Sequence, residues 1–386
     1  MRMLVCVPSY APARAFGGIV TAAIATVKGA LEAGHQVTVA TTDALDLHSR
    51  VPTDVPAEPE PPGARVVRFP NASQRLMAAN VSQPRGLRKW LREHVREFDV
   101  ILLQDIYSSV SVFSARAAER AGVPYVLQTH GTLPAAPDRG RTFAKNVFLF
   151  LWGRRTIRRA AVCLYISAAE RDAYLEQGAE PEWVRPMRPP LDLPDPGAVP
   201  RAPMGTVVYL GQLHPIKRVD VLIGAFARVR AQLPDARLEL VGPPSRHGDA
   251  LRTLAVRLGV DDAVTFRGLL IGEEKARALA AAHVFALLSA SEGLSLAAVE
   301  ALACGTPVVL SPGAALPGVD GVAGIVCDGT VPGAADALLA LLRDPERAKE
   351  LGEAGRALAA GYREEKVVPE LVKLLERVAT SSRSAA

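Results

Sequence analysis

Residues 283–309 read HVFALLSASEGLSLAAVEALACGTPVV, and this stretch decides the fold. An apolar strand over 283–288 leads into a turn of small residues, and the spacing then predicts a helix over Leu296–Ala303 and a second strand over Pro307–Leu310. Strand, turn, helix and strand in this order form the repeating unit of a parallel sheet that is covered by helices. The stretch therefore predicts an α/β fold with a doubly wound sheet.

Two carboxylates accompany this helix, Glu292 before it and Glu300 inside it. The free backbone N–H groups and positive dipole end of a helix make a site for phosphate or another anion. A carboxylate beside an anion is costly unless it has another role, such as accepting hydrogen bonds from sugar hydroxyls. The pattern predicts a ligand that is part phosphate and part sugar, a nucleotide sugar. The alternative is a surface helix with two solvated carboxylates.

A second candidate site is the segment 211–218, GQLHPIKR, which follows a predicted strand over Thr206–Leu210 and opens a helix. A backbone turn at a helix start, with a cation beside it, suits a diphosphate. We expect Gln212, Lys217 and Arg218 to contribute. A solvated helix-start lysine is the alternative for Lys217, and His214 is expected to be structural because it precedes a proline in a turn.

The two glutamates, separated by seven residues and followed by ACGTPVV, resemble the signature of the family 4 retaining glycosyltransferases. The resemblance implies the GT-B architecture: two Rossmann-like doubly wound domains facing a central cleft, with a C-terminal helix that crosses back to domain one. It also implies that Glu292 contacts the donor sugar and Glu300 the ribose. The backbone of Gly293, Leu294 and Ser295 would meet the sugar and diphosphate.

The second site departs from the family pattern, which resembles Gly-Arg-Leu-x-Pro-x-Lys-Gly. Lys217 matches, but Gln212 stands where Arg is usual and Arg218 where Gly is usual. Our hypothesis is that Arg218 or a residue of domain one supplies the missing positive charge. Without it, the donor would bind more weakly or activity would be lost.

The first half of the chain offers three further candidates. Gly17 and Gly18 open the first predicted helix, where the resemblance implies a loop beside the acceptor and the donor phosphate; a plain flexible loop is the alternative. His130 follows a predicted strand over Tyr125–Gln128, and the resemblance implies that it reaches the transferred sugar; a buried core histidine is the alternative. Glu170, in Ser167-Ala168-Ala169-Glu170, is predicted to form a capping box with a structural role.

Strands and helices alternate through most of the 386 residues, with a proline-rich interruption before the pattern restarts. This predicts an N-terminal acceptor-binding domain over 1–188, a linker over 189–204 and a nucleotide-sugar-binding domain over 205–361. The remaining residues, 362–386, are predicted to form a helix that packs on domain one and a disordered tail.

The formal net charge of +5 lies in the first 200 residues, which hold 24 Lys and Arg against 19 Asp and Glu. The excess is sharpest over 139–169, where the apolar run VFLFLW of residues 147–152 leads into GRRTIRR. A peripheral contact of 139–159 with a membrane surface is one interpretation. A buried helix with an arginine-rich solvent face is the other. Few aromatic residues and no nucleic-acid motif argue against a nucleic-acid partner.

Several features exclude other classes. No window of 18 apolar residues and no signal-peptide pattern is visible, which predicts a cytoplasmic protein, with membrane association on the cytoplasmic face as a further expectation. The four scattered cysteines are expected to be buried thiols. Neither an Asp-x-Asp motif nor a His/Cys cluster with zinc spacing is present, so we expect no metal and no cofactor besides the donor.

These observations together predict a retaining transferase that moves a sugar from a UDP- or GDP-sugar to a hydroxyl of a saccharide or glycolipid acceptor. The run Val7-Pro8-Ser9-Tyr10 with Phe16-Gly17-Gly18, and the segment His130-Gly131-Thr132-Leu133, are most similar to members that build surface polysaccharides or exopolysaccharides. Glycosylation of a small natural product is the close alternative. A non-catalytic sugar-binding protein is less favoured, as is a nucleotide-dependent oxidoreductase, since GxGxxG and a following ribose-binding acid are missing.

Overall fold

The computed structural model describes residues 1–13, 16–52, 60–78, 81–133, 145–197, 199–200, 202, 205–314 and 316–383. Within them the chain forms two compact units. The first contains Met1–Asp192 together with the C-terminal segment from Arg363, and the second contains Leu193–Tyr362. The division after Asp192 falls inside the segment predicted as a linker.

The first unit is built on a seven-stranded parallel sheet with the strand order β3-β2-β1-β4-β5-β6-β7. Its strands are β1 Arg2–Cys6, β2 Gln36–Thr42, β3 Arg65–Phe69, β4 Val100–Leu103, β5 Tyr125–Gln128, β6 Val162–Tyr165 and β7 Val184–Pro186. The order reverses between β1 and β4. The carboxyl ends of these two strands are therefore where a doubly wound sheet binds its ligand.

Helices cover both faces of this sheet. They are α1 Gly18–Glu32, α2 Gln74–Ala78, α3 Leu87–His94, α4 Ser109–Ala121, α5 Arg154–Arg158, α6 Ala168–Glu176 and the C-terminal α13 Glu364–Arg383. Side chains of β1 alternate between the two layers, since Met3 and Val5 pack with α1 and α13 while Leu4 and Cys6 pack with α3 and α4. The short α2 and β7 were not predicted as regular elements.

The C-terminal helix packs on α1, as the predicted architecture requires. The two helices approach so closely that a Cβ atom on Gly29 would lie 2.1 Å from Cγ1 of Val368. The helix α13 continues to Arg383, so the predicted tail has at most three residues after it. Residues 384–386 lie outside the described part of the chain.

The second unit contains a six-stranded parallel sheet with the order β10-β9-β8-β11-β12-β13. Its strands are β8 Thr206–Leu210, β9 Arg237–Val241, β10 Val264–Gly268, β11 Val284–Leu287, β12 Val308–Leu310 and β13 Gly324–Val326. Its helices are α7 Val219–Arg230, α8 Arg246–Arg257, α9 Gly272–Ala281, α10 Leu296–Ala303, α11 Val331–Leu342 and α12 Pro345–Ala359. The predicted α/β class with two Rossmann-like sheets is thus confirmed.

Candidate active site

The two predicted donor-site segments meet at the reversal point of the second sheet. Strands β8 and β11 are neighbours, and each predicted segment follows the carboxyl end of one of them. Backbone hydrogen bonds join the loops: the N–H of Ala290 donates to the carbonyl of Ile216 at 2.8 Å. The loop after β12 packs closely on the same segment: the N–H of Glu292 donates to the carbonyl of Gly313 at 2.8 Å, and a Cβ atom on Gly313 would lie 2.3 Å from the carbonyl oxygen of Ala290.

Lys217 and Glu292 form an ion pair at this point, although 75 positions separate them. The Lys217 Nζ donates to the Glu292 Oε1 at 2.6 Å, and the two side chains are only 23% and 14% exposed. Partial burial strengthens such an interaction relative to an ion pair in open solvent. The structure therefore brings the predicted phosphate-binding cation and sugar-binding carboxylate into direct contact.

The start of α10 lies beside this pair and leaves its N–H groups without a side-chain cap. Ser295, at the N-cap position, donates its hydroxyl to the carbonyl of Ala314 at 2.7 Å instead. The first turn contains no acidic residue, and Gly293 before it is exposed while Leu294 is half-buried. The first N–H groups of a helix need an external partner, so this helix start suits an anion.

Glu300, one turn into α10, is held by a residue that sequence reasoning missed. The Lys275 Nζ donates to the Glu300 Oε1 at 2.8 Å, and both side chains are partly exposed. Lys275 lies on α9, and no spacing in the sequence links it to Glu300. This ion pair fixes the direction of the carboxylate that the resemblance assigns to the ribose.

Gln212 and Arg218 are both exposed on the loop after β8. The Tyr209 hydroxyl donates to the carbonyl of Gln212 at 2.8 Å, which anchors the loop. Arg218 has φ = 51°, a left-handed conformation that disfavours any residue with a Cβ atom. This explains why glycine is usual at that position. Nδ1 of His214 accepts from the N–H of Ile216 at 3.3 Å and caps the turn.

In the first unit, the loop before α1 borders a small cavity. Gly17 has φ = 75° and is exposed, and α1 starts at Gly18 with neither a side-chain cap nor an acid in its first turn. The cavity has a volume of about 200 Å³, and its lining includes Phe16, Ile19 and Asp105. Asp105 follows β4 and was not predicted; burial raises the pKa of its carboxyl group.

His130 lies after β5, outside the lining of that cavity. Its φ of 51° is left-handed, and among the residues that the structure describes, its Nε2 has no hydrogen-bond partner. Burial lowers the pKa of its imidazole to about 4. The ring is therefore neutral near pH 7, with one nitrogen able to donate and the other to accept.

The loop that carries His130 is held by Glu170, which has a larger role than capping α6. Its fully buried carboxylate accepts from the N–H of Gly131 at 2.6 Å, from the N–H of Ile166 at 2.8 Å and from the Thr129 hydroxyl. Half of the predicted capping box is present: the Ser167 hydroxyl accepts from the N–H of Glu170 at 3.2 Å, whereas the Glu170 carboxylate accepts from the N–H of Ile166 rather than that of Ser167. Burial raises the pKa of Glu170, while these hydrogen bonds oppose the shift. The carboxylate fixes the residues on both sides of His130.

The basic segment is not a fully buried helix. Residues 145–148 are helical, Leu149–Gly153 form a π-helical turn and α5 follows. The Phe150 side chain is 70% exposed, and Leu151 and Trp152 are also exposed. Residues 139–144 of the predicted contact lie outside the described residues. Within the described chain, no helix is long and apolar enough to cross a membrane.

All four cysteines are buried and free, as predicted.

Two parallel, helix-covered sheets with site residues at their carboxyl edges define the GT-B class. The model of the family described as "Glycosyl transferase 4-like domain" matches residues 17–190, and that of "Glycosyl transferases group 1" matches residues 205–344. The D-inositol 3-phosphate glycosyltransferase of Frankia alni is 32% identical over 64% of this chain and 67% of its own length. The chain therefore belongs to the family 4, group 1 glycosyltransferases.

A second relative and a solved structure are also similar to this chain. The D-inositol 3-phosphate glycosyltransferase of Segniliparus rotundus is 36% identical over 48% of this chain, and the alignment spans 44% of that relative's length. The crystal structure of Anabaena HepE in complex with UDP and glucose matches with a TM-score of 0.74. It covers 98% of this chain and 100% of HepE at 20% identity, so it shows a shared fold.

Proposed function

We propose that this chain transfers a sugar, with retention at the anomeric carbon, from a UDP- or GDP-sugar to a hydroxyl group of a saccharide or lipid-linked acceptor. The contact between Lys217 and Glu292 beside the uncapped start of α10 carries the proposal. A cation, helix N–H groups without a side-chain cap and a carboxylate then lie within one small region. These are the groups that a diphosphate joined to a sugar requires.

The proposed chemistry uses these groups without a metal ion. Lys217 and the α10 N–H groups stabilise the charge that develops on the leaving diphosphate. Glu292 positions the sugar and stabilises positive charge near its anomeric carbon, and Glu300 binds the ribose. As the bond from the anomeric carbon to the diphosphate breaks, the acceptor oxygen bonds to that carbon on the same face. The leaving phosphate oxygen takes the acceptor proton. His130, as a neutral donor, would bind a sugar hydroxyl.

For the acceptor, the cavity beside Gly17 and Gly18 is the proposed site. Its volume of about 200 Å³ is small, since pockets for drug-sized ligands measure about 300–1,000 Å³, and it suits one sugar-sized ring. The names of the inositol-phosphate relatives favour a second candidate acceptor, a small phosphorylated polyol. The exposed aromatic segment supports peripheral contact of residues 139–159 with the cytoplasmic face of a membrane, and thus a lipid-linked acceptor.

The first experiment is a thermal-shift screen of UDP, GDP and their sugars, followed by product analysis by NMR. A donor that binds the folded state raises the melting temperature by mass action, and transfer should give a product with the anomeric configuration of the donor. Glycosylated product from a lipid-linked saccharide but not from inositol phosphate would favour the first acceptor. If no nucleotide sugar changes the melting temperature or yields product, the proposal fails.

A further inference from the structure

A second basic surface lies on the first unit, and its lining shares no residue with the cavity beside Gly17. It is a groove of about 570 Å³ between α3 and α4. Five arginines line it, together with apolar side chains and no carboxylate: Arg88, Arg92, Arg96, Arg116 and Arg120. A surface groove with this composition is strongly cationic.

The spacing of these arginines directs them into one groove. Arg88, Arg92 and Arg96 recur every four residues along α3 and the short 3₁₀ turn after it, while Arg116 and Arg120 do so along α4. Of the nearby carboxylates, Glu97 pairs with His94 and Glu119 with Arg155, and the exposed Glu93 of α3 does not line the groove. Within the described chain, none of the five arginines forms an ion pair with an acid. Like charges so close together repel, and a bound anion would relieve this repulsion.

The chemistry of the neighbouring surface indicates which anion. Leu149 and Ile157, from the segment with the exposed aromatics, pack into the same core layer as Leu91 of α3 and Val110 of α4. The Arg155 guanidinium also bridges to Glu119 of α4 at 2.8 Å. The elements that carry the groove and the exposed Phe150, Leu151 and Trp152 therefore cover the same side of the first sheet. A free polyphosphate would need only the arginines. A bilayer surface would contact both the arginines, through its anionic headgroups, and the exposed apolar side chains, through its interface.

We infer that the α3–α4 groove binds the phosphate headgroups of anionic lipids while the 150–152 segment enters the interface. The inference rests on the membrane contact within the proposed function and does not depend on the sugar transfer. Arginine suits this role because its planar guanidinium binds phosphate in a bidentate manner and stays charged.

The test is co-sedimentation of the full chain with vesicles of phosphatidylcholine, with or without about one-third phosphatidylglycerol. The variant Arg92→Gln/Arg116→Gln/Arg120→Gln should lower the partition coefficient on anionic vesicles about tenfold or more, since each basic residue near an anionic surface adds to the attraction. The control Arg228→Gln/Arg257→Gln/Arg347→Gln makes the same charge change on exposed positions of the second unit and should bind like the parent. Unchanged melting temperatures would establish folding.

A second variant separates the groove from the apolar segment. Phe150→Ser/Trp152→Ser should weaken binding to both kinds of vesicle, whereas the groove variant should weaken only the anionic component. Equal binding of parent and groove variant to anionic vesicles would overturn the inference. So would a parent that binds inorganic pyrophosphate at the groove by calorimetry but no vesicle. Because vesicle binding needs no donor, failure of sugar transfer would leave this result intact.

Discussion

The candidate site of the second unit and the His130 loop of the first unit are built in opposite ways. In the second unit, the side chains of interest form partly exposed ion pairs, Lys217 with Glu292 and Lys275 with Glu300. In the first unit, a buried carboxylate accepts backbone and hydroxyl hydrogen bonds around a neutral histidine.

Under the proposed function, this difference would separate recognition of a charged donor from recognition of neutral hydroxyl groups. Ion pairs that are partly open to solvent can exchange partners when a charged ligand enters, so Lys217 can turn from Glu292 to a diphosphate at low cost. A buried hydrogen-bonded network cannot rearrange in this way, because each unpaired polar group would be costly. The second unit is therefore suited to the charged donor, and the His130 loop to a rigid contact with a sugar hydroxyl.

The largest effect is expected for Glu292→Gln, which keeps the size of the side chain and removes its charge. If the carboxylate stabilises positive charge in the transition state, kcat should fall by at least about 100-fold. The measurement is initial-rate kinetics with the donor found by thermal shift. Glu350→Gln, on the exposed side of α12, serves as the control. Equal rates for variant and parent would refute the role of Glu292.

Glu170→Ala tests the buried network. It leaves the N–H groups of Gly131 and Ile166 without their acceptor, and we expect the free energy of unfolding to fall by about 3 kcal/mol. Urea denaturation provides the measurement. Glu176→Ala removes an exposed acid from the same helix and should change the value little. A loss no greater than that of the control would mean that Glu170 does not hold the loop.

Lys217→Ala should mainly weaken donor binding, because it removes a charged partner of the diphosphate. We expect the Kd for the nucleotide diphosphate to rise about tenfold or more. Calorimetry measures this directly, with Lys349→Ala on α12 as the control. An unchanged Kd would show that the ion pair with Glu292 is structural.

His130 gives a pH-dependent prediction. Its folded-state pKa of about 4 lies below the unfolded value, which is about 6.5. The unfolded chain therefore binds an additional proton between these pH values, and stability is lost as the pH falls through that window. Between pH 7 and pH 5, the free energy of unfolding of His130→Asn should fall by about 1 kcal/mol less than that of the parent. Urea denaturation at the two pH values provides the measurement. An equal loss of the free energy of unfolding in variant and parent would contradict this prediction.

The smallest effect on stability is expected for Arg218→Gly. It relieves a left-handed backbone conformation that costs roughly 1 kcal/mol, while the added freedom of glycine in the unfolded chain offsets part of the gain. The melting temperature should stay the same or rise slightly. Affinity for the nucleotide diphosphate should fall if Arg218 replaces the usual arginine, and Gln212→Arg added to this variant should restore it. Unchanged affinity in Arg218→Gly would remove Arg218 from the donor site.

The sequence predicted the second sheet and its site region well, because the signals there are local. The helix over Leu296–Ala303 and the strands beside it follow from apolar runs separated by small residues. Lys275 and Asp105 were missed because neither belongs to a local motif. The role of Glu170 was underestimated for a related reason. Its capping spacing is visible in the sequence, but its bonds to Gly131 and Thr129 cross about 40 positions.

Patterns along the chain were sufficient to predict the α/β class, the family, the helix that returns to the first unit and the candidate donor-site residues. Which side chains meet became visible only in the folded chain: Lys217 with Glu292, Lys275 with Glu300, and Glu170 with the loop around His130. The physical reason is that periodicity and turn signals describe neighbours along the chain. Pairing across a parallel sheet depends on strand order, and here β8 lies beside β11 although three helices and two strands separate them along the chain.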